Sequence, residues 1–265
     1  MYCNQAYSGW DMNVYKQHPN HEGDKIDFPG IYIQLDFLTQ EEEQYLIENI
    51  DSVPWSSSQS GRRKQNYGPK CNFKKKKIKL GTFEGFPSFT KFIQDKFHDV
   101  PIMKDFFTIE QCSLEYDPKT GASIDPHIDD CWVWGERIVT VNLMSDSVLT
   151  LTYNERSNYY NLACVNDYPS VVDIDGNFFP EAKSYCVKPF DEKVDYPVVR
   201  IPMPRRSLLV MYGSPRYDWE HQIFRDDIKT RRICLAYREF TPPFLDDSTD
   251  TLVAKDILNK AKNFF

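Results

Sequence analysis

Ile31 to Phe37 alternates, with Ile31, Ile33 and Leu35 set against Tyr32, Gln34 and Asp36, and a period of two predicts a strand. Thr39 then opens a helix, because Glu42 stands three residues on and completes a capping box. Tyr45, Leu46, Ile47 and Ile50 supply the apolar stripe of that helix. From Trp55 to Lys79 there is no helical period, only polar and basic residues around Tyr67 and Gly68. A second short helix is predicted from Ser88 to His98, with Phe89, Phe92, Ile93 and Phe97 on one side. After Phe107 the texture changes to short alternating segments: Glu110–Tyr116, Arg137–Met144, Val148–Tyr153, Val198–Ile201, Ser207–Tyr212 and Arg232–Phe240. Asp117-Pro118 with Gly121, and Gly213-Ser214-Pro215, are turn signals between them. Many short strands with frequent turns predict a sandwich or jelly roll, mainly β with flanking helices.

The same patterning suggests an organisation. Residues 1–27 are polar without a period and are expected to be loosely ordered. Residues 28–108 hold the predicted helices and a basic stretch at 60–80. The strand-rich core runs over 109–244 and is interrupted at 154–197 by a long excursion rich in Asn, Asp, Tyr and Pro. Residues 245–265 carry Leu252, Ile257 and Leu258 at helical spacing, a terminal helix.

Composition narrows the setting. At 265 residues, with 41% hydrophobic and 27% charged, the chain is globular and can bury a sizeable core. A net charge of −7 excludes a uniformly basic nucleic-acid binder but permits a local basic patch. Nine Lys and Arg and no acid lie between Arg62 and Lys79, interleaved with Tyr67 and Phe73. Charge with aromatics suits a nucleic-acid strand, an acidic protein surface is an equal electrostatic match, and a solvated loop is the bland alternative. The seven cysteines are odd in number and form no CxxC, so reduced thiols in the cytoplasm and nucleus are expected. No signal-peptide pattern and no apolar run near the ~20 residues of a membrane span is present in the sequence.

Five histidines are available, and one of them sits in His127-Ile128-Asp129. In an extended chain residues two apart share a face, so this imidazole and carboxylate converge. His221 would complete a two-histidine, one-carboxylate set with open coordination positions, the donor set of non-haem Fe(II) oxygenases. A surface histidine beside a solvated aspartate is the alternative. The segment Arg232 to Arg238 adds weight: Arg232, Cys234, Ala236 and Arg238 share one strand face, and small residues between two arginines leave room for a dicarboxylate. Two solvated arginines on an edge strand are the competing explanation.

His127-x-Asp129, the distant His221 and the Arg-x5-Arg strand resemble the AlkB family of Fe(II)/2-oxoglutarate dioxygenases. Three further stretches, Ser60–Lys70, Pro126–Arg137 and Arg216–His221, resemble one branch of that family, and the likeness runs from about residue 28 to residue 244. The resemblance implies a double-stranded β-helix with Fe(II), 2-oxoglutarate and O2 as cofactor and cosubstrates. It implies that His127, Asp129 and His221 bind the metal. Arg232 would pair with the distal carboxylate of 2-oxoglutarate, Arg238 would sit near its chelating end, and Tyr116 would hydrogen-bond it. Arg62, Arg63, Tyr67, Gly68 and Lys74, Lys75, Lys76 and Lys77 fall in the region of the family's substrate lid. Two departures stand out. Leu114 replaces a family asparagine, and Cys131 replaces the carboxylate that direct-repair members turn towards a cationic base. The branch implies oxidative demethylation of methyl-lysine on a protein, with actin the expected target, or of N6-methyladenine in DNA, by a monomer with no membrane partner. It also implies a Cys-rich N-terminal segment. Cys3 alone stands there, so a shortened N-terminus without a zinc site is expected. A binding module without turnover, or a zinc hydrolase on the same three ligands, stays open at this level.

Overall fold

The computed structural model describes residues 14–16, 25–26, 30–154, 160–167, 198–245 and 252–265. The strands are β1 (Val14–Lys16), β2 (Lys25–Ile26), β3 (Ile31–Gln34), β4 (Ser56–Ser57), β5 (Arg63–Tyr67), β6 (Lys70–Asn72), β7 (Lys77–Lys79), β8 (Glu110–Tyr116), β9 (Ile124–His127), β10 (Trp134–Leu143), β11 (Ser147–Tyr153), β12 (Val198–Met203), β13 (Leu208–Met211), β14 (Trp219–Ile223) and β15 (Arg232–Phe240). The helices are α1 (Gln40–Ser52), α2 (Lys91–Phe97), α3 (Gly213–Tyr217) and α4 (Leu252–Lys260).

Two antiparallel sheets carry the fold. The larger runs β3-β13-β10-β15-β8-β5-β4 and the smaller β2-β1-β12-β11-β14-β9. Because β10 to β15 pass back and forth between the sheets, the chain winds as a double-stranded β-helix. One apolar core fills the space between them, with Ile31, Ile138, Leu209 and Met211 of the large sheet against Leu149, Leu151, Val199 and Ile201 of the small one. The outer face of the large sheet is also covered. Val139, Val141, Leu235 and Tyr237 pack there against Leu46 and Ile50 of α1 and Ile93 and Phe97 of α2. The strict alternation along β10 and β15 follows: odd positions face the helices, even positions the inside of the sandwich.

Thr39 caps α1 as its sequence demands. Its hydroxyl accepts from Glu42 N at 3.1 Å, and the Glu42 carboxylate accepts from Thr39 N at 2.8 Å. The α1 helix is tied to the sheet by the buried Glu43, whose carboxylate accepts from Met144 N and from Arg205 Nε.

Several expectations change in detail. The stretch from Trp55 to Lys79 supplies β5, which joins the large sheet through β8, and a separate β6–β7 hairpin. The helix expected from Ser88 is a 3-10 turn over Ser88–Thr90 followed by α2. Gly213-Ser214-Pro215 starts the short α3 instead of a simple turn. The terminal helix stops at Lys260, because the following residues pair with the chain near Phe86: Phe265 N donates to Phe86 O at 3.0 Å and Phe86 N to Asn263 O at 2.9 Å. Gly85, at φ +134°, is required there, since a Cβ would lie 2.4 Å from Asn263 O. Within 1–27, residues 14–16 and 25–26 form strands on the small sheet; the remainder lies outside the described residues. Of the 154–197 excursion, residues 155–159 and 168–197 lie outside them too.

Replacing Thr39 by Ala removes one arm of the capping box and is expected to lower stability by about 1 kcal/mol. A urea titration should show the fall in midpoint with an unchanged slope.

Candidate metal and cosubstrate site

β9 and β14 are neighbours, and His127 lies opposite His221 in their register. The two imidazole centroids are 4.2 Å apart. Asp129 follows β9 and does not belong to it. The expected same-strand argument therefore fails in detail: the chain leaves the sheet after His127 and turns, with Trp134 N donating to Asp130 O at 3.1 Å. The turn still brings the carboxylate back, and one ligand atom from each of His127, Asp129 and His221 lies within 4.8 Å of the others.

The donors are prepared for a cation. His127 Nδ1 lies 2.8 Å from the Asp125 carbonyl oxygen, so it donates there and leaves the Nε2 lone pair free. Asp129 Oδ1 accepts from Arg238 Nε at 2.9 Å, whereas Oδ2 is buried without a hydrogen-bond partner. Nε2 of His221 stands 3.9 Å from that oxygen. Burial opposes ionisation of Asp129, but the charge of Arg238 overcomes it and holds the carboxyl well below its usual range. Burial, reinforced by His127, pushes His221 well below the usual imidazole value, so it is neutral and basic at the nitrogen. An orphaned buried carboxylate oxygen costs roughly 1–3 kcal/mol unless something meets it. Two imidazoles and one carboxylate are a donor set that a divalent iron fits.

Arg232 marks a second vacancy on the inner face. Only 1% of it is exposed, and its Nε donates to Asn142 Oδ1 at 2.6 Å. Its Nη1 is buried with no hydrogen-bond partner among the described residues, and the guanidinium lies 4.8 Å over the ring of Tyr116. Tyr116 stands opposite Arg232 in the β8–β15 ladder, and burial pushes its hydroxyl up to about 12, so it is neutral and available to donate. A carboxylate group of a small ligand would satisfy both. Arg238 is engaged otherwise. Its described partners are Asp129 and Glu110, the latter at 2.6 Å from Nη1, so it meets two carboxylates rather than open space. The ~20 Å between the two arginine Cα atoms is thus no obstacle, because each serves a different part of the site.

The residues at 60–80 divide into two groups. Arg62 is buried, 5.8 Å over the Tyr116 ring, and Arg63 pairs with both oxygens of Glu115. Both belong to the body of the protein. Lys74, Lys75, Lys76 and Lys77 are exposed at the tip of the β6–β7 hairpin. Tyr67 and Gly68 line a cavity of about 370 Å³ together with Asn66, Phe83 and Phe265.

Sequence reasoning missed Asn142, Glu110 and Arg216. Asn142 is a fully buried asparagine flanked by Val141 and Leu143, and its amide also donates to the carbonyls of Ser145, Met203 and Pro204. Glu110 is found only once the register sets it opposite Arg238. Arg216, wholly buried, donates to the carbonyls of Gly135 and Trp134 and approaches Cys131 Sγ at 3.6 Å. Burial pushes the Cys131 thiol up to about 11, so no negative charge stands at that position.

No family model matches the chain. The mouse alpha-ketoglutarate-dependent dioxygenase alkB homolog 4 is 36% identical over 264 residues, 100% of this chain and 84% of that protein. The human protein of the same name is 37% identical over 264 residues, again 100% of this chain and 83% of its relative. The chain belongs to the AlkB family. It is an Fe(II)/2-oxoglutarate-dependent dioxygenase of the oxidative demethylase kind, and the family's Fe(II), 2-oxoglutarate and O2 come with it. A third AlkB relative, the DNA N6-methyl adenine demethylase of Caenorhabditis elegans, is 34% identical over 223 residues, 83% of this chain and 63% of that protein.

If Arg232 holds a carboxylate of the cosubstrate, Arg232→Ala removes a charge-assisted contact, a loss on the order of 2–4 kcal/mol. The KM for 2-oxoglutarate should rise roughly 30- to 1000-fold, with metal affinity little changed. Parallel steady-state and metal-titration measurements check this, and an unaltered KM would remove Arg232 from the cosubstrate site.

Proposed function

We propose that His127, Asp129 and His221 hold Fe(II), that Arg232 and Tyr116 anchor 2-oxoglutarate, and that the chain removes N-methyl groups carried on a macromolecule. The observation that carries this reading is the buried, unpartnered Nη1 of Arg232, inside the same sandwich that holds the buried, unpartnered Oδ2 of Asp129. A zinc hydrolase has no use for such an arginine, and a module without turnover has no need to keep both vacancies.

When bound, iron with 2-oxoglutarate and O2 supplies oxidation of an unactivated C–H bond, converting the cosubstrate to succinate and CO2. The protein's own residues do the rest. Arg232 fixes the far carboxylate of the cosubstrate, Tyr116 donates to it, and Arg62 stacks behind the tyrosine. Arg238 keeps Asp129 ionised and turned. The apolar core beneath keeps water from the oxidising centre. A hydroxylated N-methyl group then breaks down to formaldehyde and the demethylated nitrogen.

The substrate follows from charge. Cys131 is protonated and Arg216 lies beside it, so the carboxylate that would greet a cationic alkylated base is missing. The uncharged N6-methyladenine in DNA fits that absence; methyl-lysine on a protein, with actin the expected target, is the second reading, and its cationic nitrogen would have to find its counter-charge elsewhere in the site. The four exposed lysines at the hairpin tip favour an anionic partner, either a DNA backbone or an acidic protein surface.

Formaldehyde release should be compared on DNA containing N6-methyladenine, methylated RNA and methyl-lysine actin, with Fe(II) and 2-oxoglutarate. Turnover on none of them, with intact 2-oxoglutarate consumption, would sink the demethylase assignment at the level of substrate. His127→Ala should lose metal binding and turnover together, and wild-type decarboxylation by that variant would refute the metal assignment. Reversing the charge of Lys74 to Lys77 should weaken turnover and flatten its salt dependence while leaving uncoupled 2-oxoglutarate decarboxylation near wild type. A steep linear fall of log affinity with log salt in the wild type points to DNA, a shallower one to protein.

A further inference from the structure

Glu110 has no part in the steps above, yet its placement is specific. It opens β8 on the inner face and stands opposite Arg238 in the ladder. Its side chain is 12% exposed, and Oε2 accepts from Arg238 Nη1 at 2.6 Å. The other edge of that guanidinium holds Asp129 Oδ1, through Nε at 2.9 Å and Nη2 at 2.8 Å. A Cβ on Gly68, just past β5, would lie 3.0 Å from Glu110 Cγ, so the neighbouring strand's end packs directly against the side of Glu110.

We propose that Glu110 is a positioning residue for the metal, acting through Arg238 to set both the orientation and the effective charge of Asp129. The inference rests on the reading of His127, Asp129 and His221 as the metal site. A guanidinium held by one carboxylate alone can swing about that contact. Held at both edges it is fixed in plane, and Asp129 is fixed with it, Oδ1 on the arginine and Oδ2 left towards the imidazoles. Charge points the same way. Arg238 alone would cancel the only anionic metal ligand, and the wholly buried Arg216, whose described partners are carbonyls and a thiol, adds a second positive charge nearby. A dication would then enter a net positive, poorly screened environment. Glu110 sets a second carboxylate on the far side of Arg238; burial there pushes its pKa up, and the guanidinium it accepts from opposes that.

The test is titration of the metal-free full chain with Co(II) alone, without 2-oxoglutarate or methylated substrate, followed by the visible absorption of the bound ion. Glu110→Gln keeps the shape and removes the charge. Its Co(II) dissociation constant should rise about 10- to 100-fold, the range for partners of metal ligands, with an altered absorption band. Glu110→Asp keeps the charge on a shorter arm, should lose affinity only at the low end of that range, and carries the test if Glu110→Gln does not fold. Wild-type affinity and absorption in a folded variant would overturn the proposal. His127→Ala separates the two levels. If it loses Co(II) while both Glu110 variants bind as wild type, only the role of Glu110 falls. If it too binds as wild type, the metal site itself is misplaced and the inference falls with it.

Discussion

A guanidinium buried between two β-sheets has to be met by acceptors or by opposite charge, and β15 puts two of them there. Arg232 and Arg238 point into the sandwich because they share a face with Cys234 and Ala236, while Ile233, Leu235 and Tyr237 are claimed by the helices outside. Once that register is set, the rest of the site has little freedom. Arg238 needs acids and takes Asp129 and Glu110. Arg232 takes the amide oxygen of Asn142 and keeps one donor in reserve. The large sheet thus presents a charged stripe to the small sheet, and the histidines arrive from the other side on β9 and β14.

Burial also explains why the pairing is so thorough. On the outer face of the large sheet, acids and bases alternate through space: Arg63 and Arg231 both reach Glu115, and Arg231 reaches on to Asp51 at the end of α1. Such exposed or half-exposed pairs contribute little to stability each. Their effect is positional, since they tie β5 and α1 to β8. Asp129 Oδ2 and Arg232 Nη1 are buried without a hydrogen-bond partner among the described residues, and a functional site is where such unmet groups are tolerated.

The excursion after β11 contributes as well. Tyr160 O accepts from Cys131 N, and Asn161 donates to Asp130 Oδ1 at 3.1 Å. Leu162 and Val165 pack with Ile128 and Cys131 in a small cluster of their own. The turn that carries Asp129 is therefore held from two directions, by Arg238 in front and by this cluster behind. An insertion that looks like a break in the strand rhythm acts, over residues 160–167, as a brace for the metal-ligand turn.

The linear sequence determined the parts that local physics controls. The cap of α1, the limits of β8 and β15 and the two faces of β15 all follow from period and propensity, which act over a few residues. The donor set was legible because its chemistry is rare: a histidine and an aspartate two apart, and one distant histidine. What the sequence could not determine depends on register between distant strands. The loop geometry at Asp129 comes from a turn that ends β9 early, so a period of two gave the right convergence by the wrong path. The strands between Trp55 and Lys79 lack an alternating pattern because β5 lies near a sheet edge and β6–β7 is a bare hairpin, with little apolar burial to impose one. Arg62 and Arg63 read as part of one basic run, yet antiparallel pairing with β8 draws them onto Tyr116 and Glu115, while the hairpin lysines reach solvent without such partners in the sheet. Glu110 and Asn142 became visible for the same reason: a partner 128 or 90 residues away is set by hydrogen-bonded ladders, and no local pattern encodes it.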